Sequence, residues 1–498
     1  MSTVGLTRAT VLAITEEVTP GVYVAPSSGT DFVALRPGSE MSFETEKLEN
    51  DELINDIGAA KSFVGKESTS GTHPAYLRHS GVEGQEPQLG KLFKSIMGSK
   101  QIASVEYDTV SGSTTKIVKV NTGEGANFVE GQALLVKNGS GYEIRNVASI
   151  SGDDLTLNFA LDNAPGTGVN LGKAITYIPA ALAPTLSFTK YLGSGHAKEI
   201  TAGNAISELS LTADANGFGE VEFSFEGTKY YFNPIVITSS NKFLDVTDDG
   251  GTIAVSVEEK IYKTPVELAD ALQAALEAAS AETYTVTYSS TTGKFTIASG
   301  STVLSLLWNT GANAANSIGT TLGFLVAADD TGSVSYTSDN AQTYAVPYTP
   351  SYDSSDAIVV KGVDLFLGTQ TDNICVCAQS VSLTVSKTLE DVDCACEENG
   401  VLEKIPTART AELQVTAVMK KYDVALLDAL LKNSEISAML NAGPKSGGNW
   451  VAGKCFNFYM QSCTVNSYKT TGDSFIQAEI TLSGFVSSGT KDLFINFV

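Results

Sequence analysis

Two seven-residue segments with the same alternation of apolar and polar residues constrain the fold of this chain more than any other feature. They are Val221-Glu222-Phe223-Ser224-Phe225-Glu226-Gly227 and Ala478-Glu479-Ile480-Thr481-Leu482-Ser483-Gly484. Alternation with a period of two is typical of a β-strand with one buried and one solvent-facing side. In both segments an acidic residue stands second, two hydroxyl or acidic residues follow on the same side, and glycine ends the strand. The pattern predicts the same half-buried strand twice.

The similarity continues upstream of both segments. Another alternating strand that runs into acidic residues occurs at Met41–Asp51 and, with a one-residue slip, at Val381–Asp391. Each is followed by a polar loop and by a run with helical spacing, at Leu89–Met97 and at Val424–Lys432. We interpret the chain as a tandem duplication of one module. The alternative is that two unrelated β-rich segments match by chance.

Composition favours a mainly-β protein with several domains. At 498 residues the chain is too long for a single core, and its length alone suggests about three domains. Only 18% of the residues are charged, while Gly, Ser and Thr are abundant, which is typical of short strands joined by many turns. There is no apolar run that could span a bilayer and no N-terminal secretory signal. We therefore expect assembly inside a cell and no membrane insertion.

The central part of the chain has a different character. A helix is predicted with Thr264 as its N-cap, Pro265 at its first position and Glu267 completing a capping box, and a hairpin follows it. We interpret this part as an inserted α+β domain that points outward. The predicted boundaries are 1–36 for an N-terminal arm that docks on a neighbour or stays mobile, 37–235 for the first module, 236–350 for the inserted domain and 351–498 for the second module.

Cysteines are confined to the last part of the chain. They include two Cys-x-Cys pairs, Cys375 with Cys377 and Cys394 with Cys396. Structural zinc sites usually separate paired cysteines by two to four residues, so we interpret these residues as small buried thiols. A metal site or a disulfide is the alternative.

Other residues that carry chemistry are sparse. His73 and His79 share a loop but have no Cys, Ser or carboxylate at motif spacing, so both are interpreted as surface groups. The sequence contains no phosphate-binding loop, nucleophile elbow, zinc-protease motif or Rossmann glycine set. We therefore expect no enzymatic activity, no metal and no cofactor.

The formal net charge of −24 argues against a surface that binds nucleic acid. Such a surface needs clustered Lys and Arg to release counterions from phosphates. An acidic surface is compatible with a position near DNA to which the protein does not adhere. Solubility alone is the alternative explanation.

Several short motifs resemble those of siphophage major tail tube proteins. They are Glu16-Glu17-Val18-Thr19-Pro20-Gly21, the block Ser42–Asp51, the loop Tyr76-Leu77-Arg78-His79-Ser80, Glu86-Pro87, and the strands Leu209-Ser210-Leu211 and Val221–Gly227. The segment 241–340 is similar to add-on domains of phage tail proteins, through Leu306–Gly311, Leu322–Phe324 and Asp329–Gly332. The resemblance covers most of the chain, with motifs that are not chemically specific.

The resemblance implies a mainly-β fold with two tandem tail-tube-like β-sandwich or barrel-forming modules, each with a short flanking helix, plus the inserted α+β domain. Sheets of neighbouring subunits would join into a closed barrel around a channel, and rings would stack into the tube of a virion tail assembled in the host cytoplasm. Most relatives carry one module and form hexameric rings, so two modules imply a trimeric ring with pseudo-sixfold symmetry. The tape measure, terminator and tail-tip proteins would be partners, and DNA would pass through without specific binding.

In this interpretation the polar sides of the repeated strands line the channel. Basic side chains would retard DNA, which carries about one charge per 1.7 Å of axis, whereas acidic and hydroxyl groups would not. The candidates are Glu222, Ser224, Glu226, Glu479, Thr481 and Ser483, followed by Ser42, Glu44 and Glu46 with Ser382 and Thr384. The alternative is that these side chains face the outer solvent, because alternation does not say which wet side forms a bore.

The loop from Ile54 to Gln88 is long and lacks a clear period, which is typical of contact-making loops. Together with the arm at 1–30 it is predicted to supply ring-to-ring contacts. The candidate residues are Lys66, Glu67, His73, Tyr76, Arg78 and His79.

Two other classes of protein remain open from the sequence. A surface adhesin or carbohydrate-binding β-protein could use Tyr230, Tyr231 and Trp308 as stacking platforms. A capsid or decoration protein would share the acidity and the β-content.

Overall fold

The computed structural model describes residues 6–52, 58, 60–138, 141–193, 195–344, 346–418, 435–472, 476–487 and 489–498. The chain is mainly β, as its sequence predicts. It divides into two compact units, one made of Thr189–Ile200, Tyr230–Thr349 and the described residues up to Val11, the other of Leu12–Phe188, Thr201–Lys229 and Pro350–Val498.

The regular elements follow one another in three stretches. The first stretch comprises β1 (Val11–Glu16), β2 (Phe32–Val33), β3 (Glu40–Leu48), β4 (Phe63–Tyr76), α1 (Gly90–Met97), β5 (Gly98–Ala103), β6 (Ile117–Lys119), β7 (Ala133–Asn138), β8 (Gly141–Ser151), β9 (Asp154–Leu157), β10 (Ala174–Pro179) and β11 (Leu186–Leu192). Short 3-10 turns lie at Thr7–Ala9, Gly29–Asp31, Glu124–Asn127 and Ala314–Asn316.

The second stretch comprises β12 (Ala197–Asp214), β13 (Gly219–Gly227), β14 (Lys229–Phe232), β15 (Ile235–Val236), β16 (Phe243–Asp248), β17 (Gly251–Ser256), β18 (Ile261–Tyr262), α2 (Pro265–Ala279), β19 (Tyr284–Ser289), β20 (Lys294–Ser299), β21 (Leu304–Leu306), α3 (Gly319–Leu322), β22 (Asp330–Ser333) and β23 (Ser335–Thr337). The third comprises β24 (Asp364–Gly368), β25 (Asn373–Asp393), β26 (Val401–Val418), β27 (Ile436–Ala442), β28 (Lys445–Ser446), β29 (Asn449–Trp450), β30 (Phe456–Thr471), β31 (Gln477–Gly484) and β32 (Phe494–Phe497).

Helix α1 forms where its apolar spacing predicts it. Leu92, Phe93 and Ile96 are fully buried, and the Phe93 ring meets Phe223 of β13 edge-on with centroids 5.2 Å apart. The helix ends at Gly98, whose φ of 107° favours glycine. The second predicted helix, Val424–Lys432, lies outside the described residues.

Six strands in the last part of the chain are linked to one another by successive pairings. Strand β25 pairs with β26, which pairs with β31, which pairs with β30. Strand β30 then pairs with β27, β27 with β24, and β24 again with β25. Residues 373–376 of β25 pair with β24 and residues 377–393 pair with β26, while residues 456–463 of β30 pair with β27 and residues 463–471 pair with β31. Strands β25 and β30 are therefore long strands that change partners along their length, and Leu365, Leu413 and Leu440 on the strands between them are buried.

A four-stranded antiparallel sheet, in the order β6, β9, β8, β7, forms a separate layer within 117–157. Its own core includes Val118, Leu134, Val147 and Leu155, all fully buried.

The unit that contains 230–349 is built around helix α2. The hydroxyl of Thr264 accepts the backbone N–H of Glu267 at 3.2 Å, as predicted for an N-cap. The Glu267 carboxylate accepts the N–H of Lys263, one residue before the cap, rather than that of Thr264 itself. The helix packs Leu268 and Leu272 into a core shared with the strands around it.

Two sequence interpretations are wrong. The segment from Ile54 to Gln88 is not simply a loop, because strand β4 occupies Phe63–Tyr76 between β3 and β13. The N-terminal region is not a free arm throughout, because Leu12 and Ile14 of β1 are at most 1% exposed and β1 pairs with β2. Both segments are held by distant parts of the chain that their local sequence does not reveal.

Candidate functional site

One antiparallel sheet brings the two repeated segments into a single surface. Its eight strands pair in the order β3, β4, β13, β12, β25, β26, β31, β30. The first four strands come from the first predicted module and the last four from the second. The two halves meet where β12 pairs with β25, with Leu209 opposite Val385 and Ser210 opposite Thr384.

Both halves of this sheet have the same strand order. Numbered by their order in the chain, the four strands of each half lie side by side in the order first, second, fourth, third. This order is β3, β4, β13, β12 in the first half and β25, β26, β31, β30 in the second. The registers also correspond. Phe223 on β13 and Ile480 on β31 occupy the same place in the two repeated segments. Leu209 on β12 lies opposite Phe223, and Tyr468 on β30 lies opposite Ile480.

The first strands correspond in the same way. Gly71 lies between Met41 and Phe225, and Leu413 lies between Leu383 and Leu482, the residue that matches Phe225. Met41 is therefore the structural counterpart of Leu383.

The two sides of the eight-stranded sheet differ sharply in chemistry. On the buried side Val221, Phe223, Leu211, Leu383, Leu413 and Leu482 are each at most 2% exposed. We call the other side the polar face. Strand by strand, the cross-strand registers place on it Glu40, Ser42, Glu44, Ser68, Ser70, Thr72, Glu220, Glu222, Ser224, Glu226, Glu208, Ser210, Thr212, Ser382, Thr384, Ser386, Thr410, Glu412, Gln414, Glu479, Thr481, Ser483, Ser467 and Lys469.

The structure brings the predicted channel residues together on the polar face. Glu222 is exposed opposite Ser210, and Glu479 is exposed opposite Thr416. Ser224 and Glu226 follow Glu222 on the same side, Thr481 and Ser483 follow Glu479, and Ser42, Glu44, Ser382 and Thr384 share that side. Glu46 is exposed but falls at a bulge between Thr45 and Lys47, so the register does not place it.

The polar face is concave over at least five of its strands. A depression of about 490 Å³ is lined by residues of β12, β25, β26, β31 and β30. Its polar lining consists of Thr212, Asp214, Ser380, Ser382, Gln414, Thr416, Ser467, Lys469, Glu479 and Thr481. Acidic and hydroxyl groups therefore cover a surface that curves around the solvent in front of it.

Basic side chains that reach the polar face are neutralised there by acids. The ion pairs are Arg36 with Glu220, Lys404 with Glu226 at 3.1 Å and Lys469 with Glu479 at 3.7 Å. Glu222 and Glu479 themselves are exposed to solvent. The face is consequently acidic, with its cations bound to carboxylates.

The tip of the β25–β26 hairpin is tied to the first half of the sheet by charged groups. Asp391 accepts hydrogen bonds from Lys404 at 2.6 Å and from Lys66. Burial alone would raise the pKa of Asp391, but the bonds from Lys404 and Lys66 hold that pKa below its ordinary value. The same bond to Asp391, with one to Asp393, raises the pKa of Lys66.

The predicted ring-to-ring residues fall into two groups. Lys66, Glu67, Tyr76 and Arg78 are partly exposed. Glu67 donates its N–H to the carbonyl of Asn399 at 3.1 Å, and Arg78 donates to the carbonyl of Ser355 at 2.8 Å. These four residues are anchored at the surface of their own chain.

The interpretation of the two loop histidines as surface groups is wrong. His73 is fully buried and stacks on Phe225 with ring centroids 5.0 Å apart. His79 is 1% exposed and lies beside Phe497, and burial lowers its pKa to about 4. Side chains enclosed in this way are not available to another ring.

Two further interpretations need correction. Cys375, Cys377 and Cys396 are exposed and Cys394 is partly exposed, so only Cys455 and Cys463 are buried thiols. None of the six cysteines is in a disulfide. Cys375 and Cys377 do share one side of β25, but that side faces solvent.

Trp308 is not a stacking platform. It is 1% exposed, packs against Phe324 with centroids 4.9 Å apart, and its indole N–H donates to Asp330 at 2.8 Å. Tyr230 is partly exposed and donates its hydroxyl to Glu199 at 3.0 Å.

Sequence reasoning missed about half of the polar face. Glu208, Ser210 and Thr212 on β12, and Thr410, Glu412 and Gln414 on β26, contribute as much of this side as the predicted residues. Their alternation with Leu209, Leu211, Ala411 and Leu413 is a signal that could have identified them.

Comparisons with known proteins give little further information. No family model matches the chain, and no curated protein matches it. A chain in the solved structure of the virion of a native gene transfer agent particle is similar over 26% of this chain and 95% of its own length, with 12% sequence identity and a TM-score of 0.18. A similarity at this level carries no argument about function.

Neither a metal site nor a membrane-spanning helix occurs in the part of the chain that the structure describes. No cluster of three or more His, Cys, Asp or Glu side chains there has the geometry to hold a metal ion. No described helix is both long and apolar enough to cross a bilayer.

Proposed function

We propose that this protein is a structural subunit of a bacteriophage tail tube, which assembles into stacked rings whose channel conducts genomic DNA during ejection. The observation that carries the proposal is the continuous eight-stranded sheet, in which two four-stranded halves of equal order present one concave, acidic and hydroxyl-rich face. Four of the motifs that resemble siphophage tail tube proteins contribute to this sheet, with Ser42–Leu48 in β3, Tyr76 in β4, Leu209–Leu211 in β12 and Val221–Gly227 in β13.

The role of such a wall is physical rather than catalytic. Duplex DNA carries about one charge per 1.7 Å of its axis, so exposed Lys or Arg would hold it by counterion release. The polar face instead presents carboxylates such as Glu222 and Glu479, and its cations are already paired. DNA would slide past this face with little attraction to it.

The two equal halves set the number of subunits that we propose for one ring. A tube built from six four-stranded units needs three chains, because each chain supplies two units. The ring is then a trimer with pseudo-sixfold symmetry. The tape measure, terminator and tail-tip proteins would be its neighbours in the virion tail.

The alternative classes find less support. A carbohydrate-binding surface needs exposed aromatic platforms, but Trp308 is buried in a core. A capsid or decoration protein would share the acidity and the β-content. Those two properties alone do not account for a concave face that continues from one half of the chain into the other.

Electron microscopy of the purified protein tests the proposal. We expect hollow rings or tubes with three chains in each ring, and the mass of the ring in solution should equal that of three chains. Discrete monomers with affinity for glycans would contradict the tube and support the adhesin. Closed shells, or binding to preformed shells, would support the capsid or decoration class.

A further inference from the structure

A depression of about 570 Å³ lies where the extended segment 355–362 passes the turn Gly443–Lys445. Its lining comes from these two segments and from Lys454. All of the lining lies within Pro350–Val498 of one compact unit, and none of it belongs to the polar face. The depression is therefore a surface separate from the proposed channel wall.

The segment 357–360 is hydrogen-bonded to the rest of the chain along one side. The N–H of Ile358 donates to the carbonyl of Leu77 at 2.9 Å, and its carbonyl accepts the N–H of Gly219 at 2.8 Å. The N–H of Val360 donates to the carbonyl of Gly217 at 2.9 Å. Ile358 and Val360 thus use their backbone groups as residues of a short antiparallel strand do.

The alternate residues of this segment direct their backbone groups the other way. Successive N–H groups of an extended strand point to opposite sides, so those of Ala357 and Val359 point away from Gly217 and Gly219. Among the described residues, neither N–H has a hydrogen-bond partner. Ala357 and Val359 both line the depression, and Val359 is 45% exposed. The segment therefore offers an open strand edge at the depression.

Three lysines surround this edge. Lys361 and Lys454 are exposed, and neither forms an ion pair with a described carboxylate. Nζ of Lys445 lies 4.0 Å from the centre of the Trp450 ring and 3.1 Å from Oδ1 of Asp364, so two contacts hold it in place. A group of cations is an exception on a chain with a net charge of −24. We call this surface the basic depression.

We propose that the basic depression binds an extended acidic peptide of another protein. The peptide would add as a strand, and its carbonyl groups would accept hydrogen bonds from the N–H groups of Ala357 and Val359. Its carboxylates, on alternate residues, would contact Lys361, Lys445 and Lys454. Its apolar residues would cover the apolar part of the lining.

The size and composition of the basic depression favour a peptide over a nucleic acid. The segment 357–361 extends over about 16 Å, a length that a short strand can match. A longer polyanion would pass beyond the lysines and meet the surface of a chain with a net charge of −24. Asp356, the acid of the lining, would also oppose a uniformly charged polymer. A peptide can place its acids at the lysines alone.

Two acidic strands of the chain itself already have partners. Strand β13 pairs with β4 and β12, and strand β31 pairs with β26 and β30. Because each has a neighbour on both edges, neither can add to another edge without leaving its sheet. We therefore expect the occupant to be a segment of a different protein.

Synthetic peptides test the chemistry of the site. The probe is a blocked, fluorescein-labelled hexapeptide in which Glu and Val alternate, and fluorescence anisotropy follows its binding to the full chain. One control peptide has three Glu before three Val, and another has Lys in place of Glu. We expect a dissociation constant of about 10–100 μM for the probe. Both controls should bind at least about tenfold more weakly.

Substitution of the two unpaired lysines tests their contribution. Lys361→Gln together with Lys454→Gln should weaken binding of the probe at least about fivefold, and the difference should shrink as salt concentration rises. Lys137→Gln together with Lys491→Gln is the matched control, because both lysines are exposed and lie outside the lining. The control should bind the probe as the unchanged chain does. Circular dichroism checks that both double variants are folded.

Backbone methylation of the probe tests the added strand. One version carries N-methyl groups on its three Glu residues, and the other carries them on its three Val residues. Only alternate residues of a strand face the partner edge, so one version should lose binding and the other should keep it. Equal effects of the two methylation patterns would show that no strand edge is used and would overturn the proposal.

The other outcomes are equally decisive. Absence of probe binding at about 1 mM would overturn the proposal, as would an equal loss of affinity in the control double variant. Displacement of the probe by an oligonucleotide more readily than by unlabelled peptide would indicate a nucleic-acid site instead. A peptide with the chain's own sequence 40–48 that binds as tightly as the probe would indicate a second copy as the occupant. Either result would overturn the proposal, which goes beyond the proposed function and does not rest on it.

Discussion

Asn457 and Asn146 exchange two side-chain hydrogen bonds, at 2.8 and 3.0 Å, while both are fully buried. Asn457 lies on β30 and Asn146 on β8, so the pair connects the small sheet of 117–157 to β30. Asn457 also donates to Asn441 at 2.7 Å and accepts from Asn496 at 2.9 Å. Its amide thereby uses both donors and both acceptor positions inside the protein.

We expect Asn457→Ala to lower the free energy of unfolding by about 1–3 kcal/mol, because the buried amides of Asn146, Asn441 and Asn496 then each lose hydrogen bonds that nothing replaces. Urea denaturation followed by circular dichroism measures the change. Asn466→Ala on the same strand is the control, and as an exposed change it should stay within about 0.5 kcal/mol. Equal losses of unfolding free energy in Asn457→Ala and Asn466→Ala would show that the buried hydrogen-bond network adds no stability.

Glu17 predicts a second large effect. Its carboxylate is buried and accepts four hydrogen bonds of 2.7 to 2.8 Å, from the backbone N–H groups of Gly21 and Gly203 and the hydroxyls of Thr185 and Ser187. Glutamine has nearly the same shape as glutamate, but its NH₂ group is a hydrogen-bond donor. In Glu17→Gln this group would face two of the four donors and could not accept their hydrogen bonds. We expect a loss of about 2 kcal/mol or more in unfolding free energy.

The neighbouring acid provides the control for Glu17. Glu16 forms a partly exposed ion pair with Lys94 at 2.5 Å. Glu16→Gln should cost at most about 1 kcal/mol, since such surface pairs contribute little. Thermal unfolding of both variants in parallel gives the comparison, and a smaller shift for Glu17→Gln than for Glu16→Gln would contradict the argument.

His79 predicts a loss of stability in mild acid. Burial lowers its pKa to about 4 from an ordinary value of 6.5. The unfolded chain therefore binds a proton more readily than the folded one between these values, so stability is present above pH 6.5 and falls as pH decreases towards 4. The full shift corresponds to about 3 kcal/mol.

Urea midpoints between pH 7.5 and 4.5 measure this dependence. We expect His79→Asn, which keeps an acceptor near the position of Nδ1, to flatten the pH dependence even if it lowers stability at pH 7.5. His196→Asn is the control, because His196 is exposed. An unchanged slope in His79→Asn would assign the acid sensitivity to other groups.

Charge reversal on the polar face tests its relation to DNA. Particles carrying Glu222→Lys together with Glu479→Lys should form normal tubes but release DNA several-fold more slowly, because the new cations would bind phosphates. The delay should shrink as salt concentration rises. Glu277→Lys changes charge on the exposed side of α2 and should leave release unchanged. An unchanged rate of DNA release in the double variant would show that neither side chain lines the channel.

Strand β4 illustrates why local sequence could predict only part of the site. Its segment Ser68–His73 contains no apolar residue, so the sequence indicates a loop. In the structure Gly71 leaves the space that the Phe225 ring occupies, since a Cβ there would approach that ring to 2.8 Å. His73 is buried for the same reason, stacked on Phe225. These environments come from a strand far away in the chain.

The sequence by itself determined the mainly-β class, helix α1, the capped helix α2, and the polar side of the strands that contain Glu222 and Glu479. These features depend on periods of two or 3.6 residues, which are properties of neighbouring positions. Only the tertiary structure decided that β12 pairs with β25 and that His73 and Trp308 are buried. Strand partners are chosen by packing between residues far apart in the chain, and alternation looks the same whichever partner a strand has.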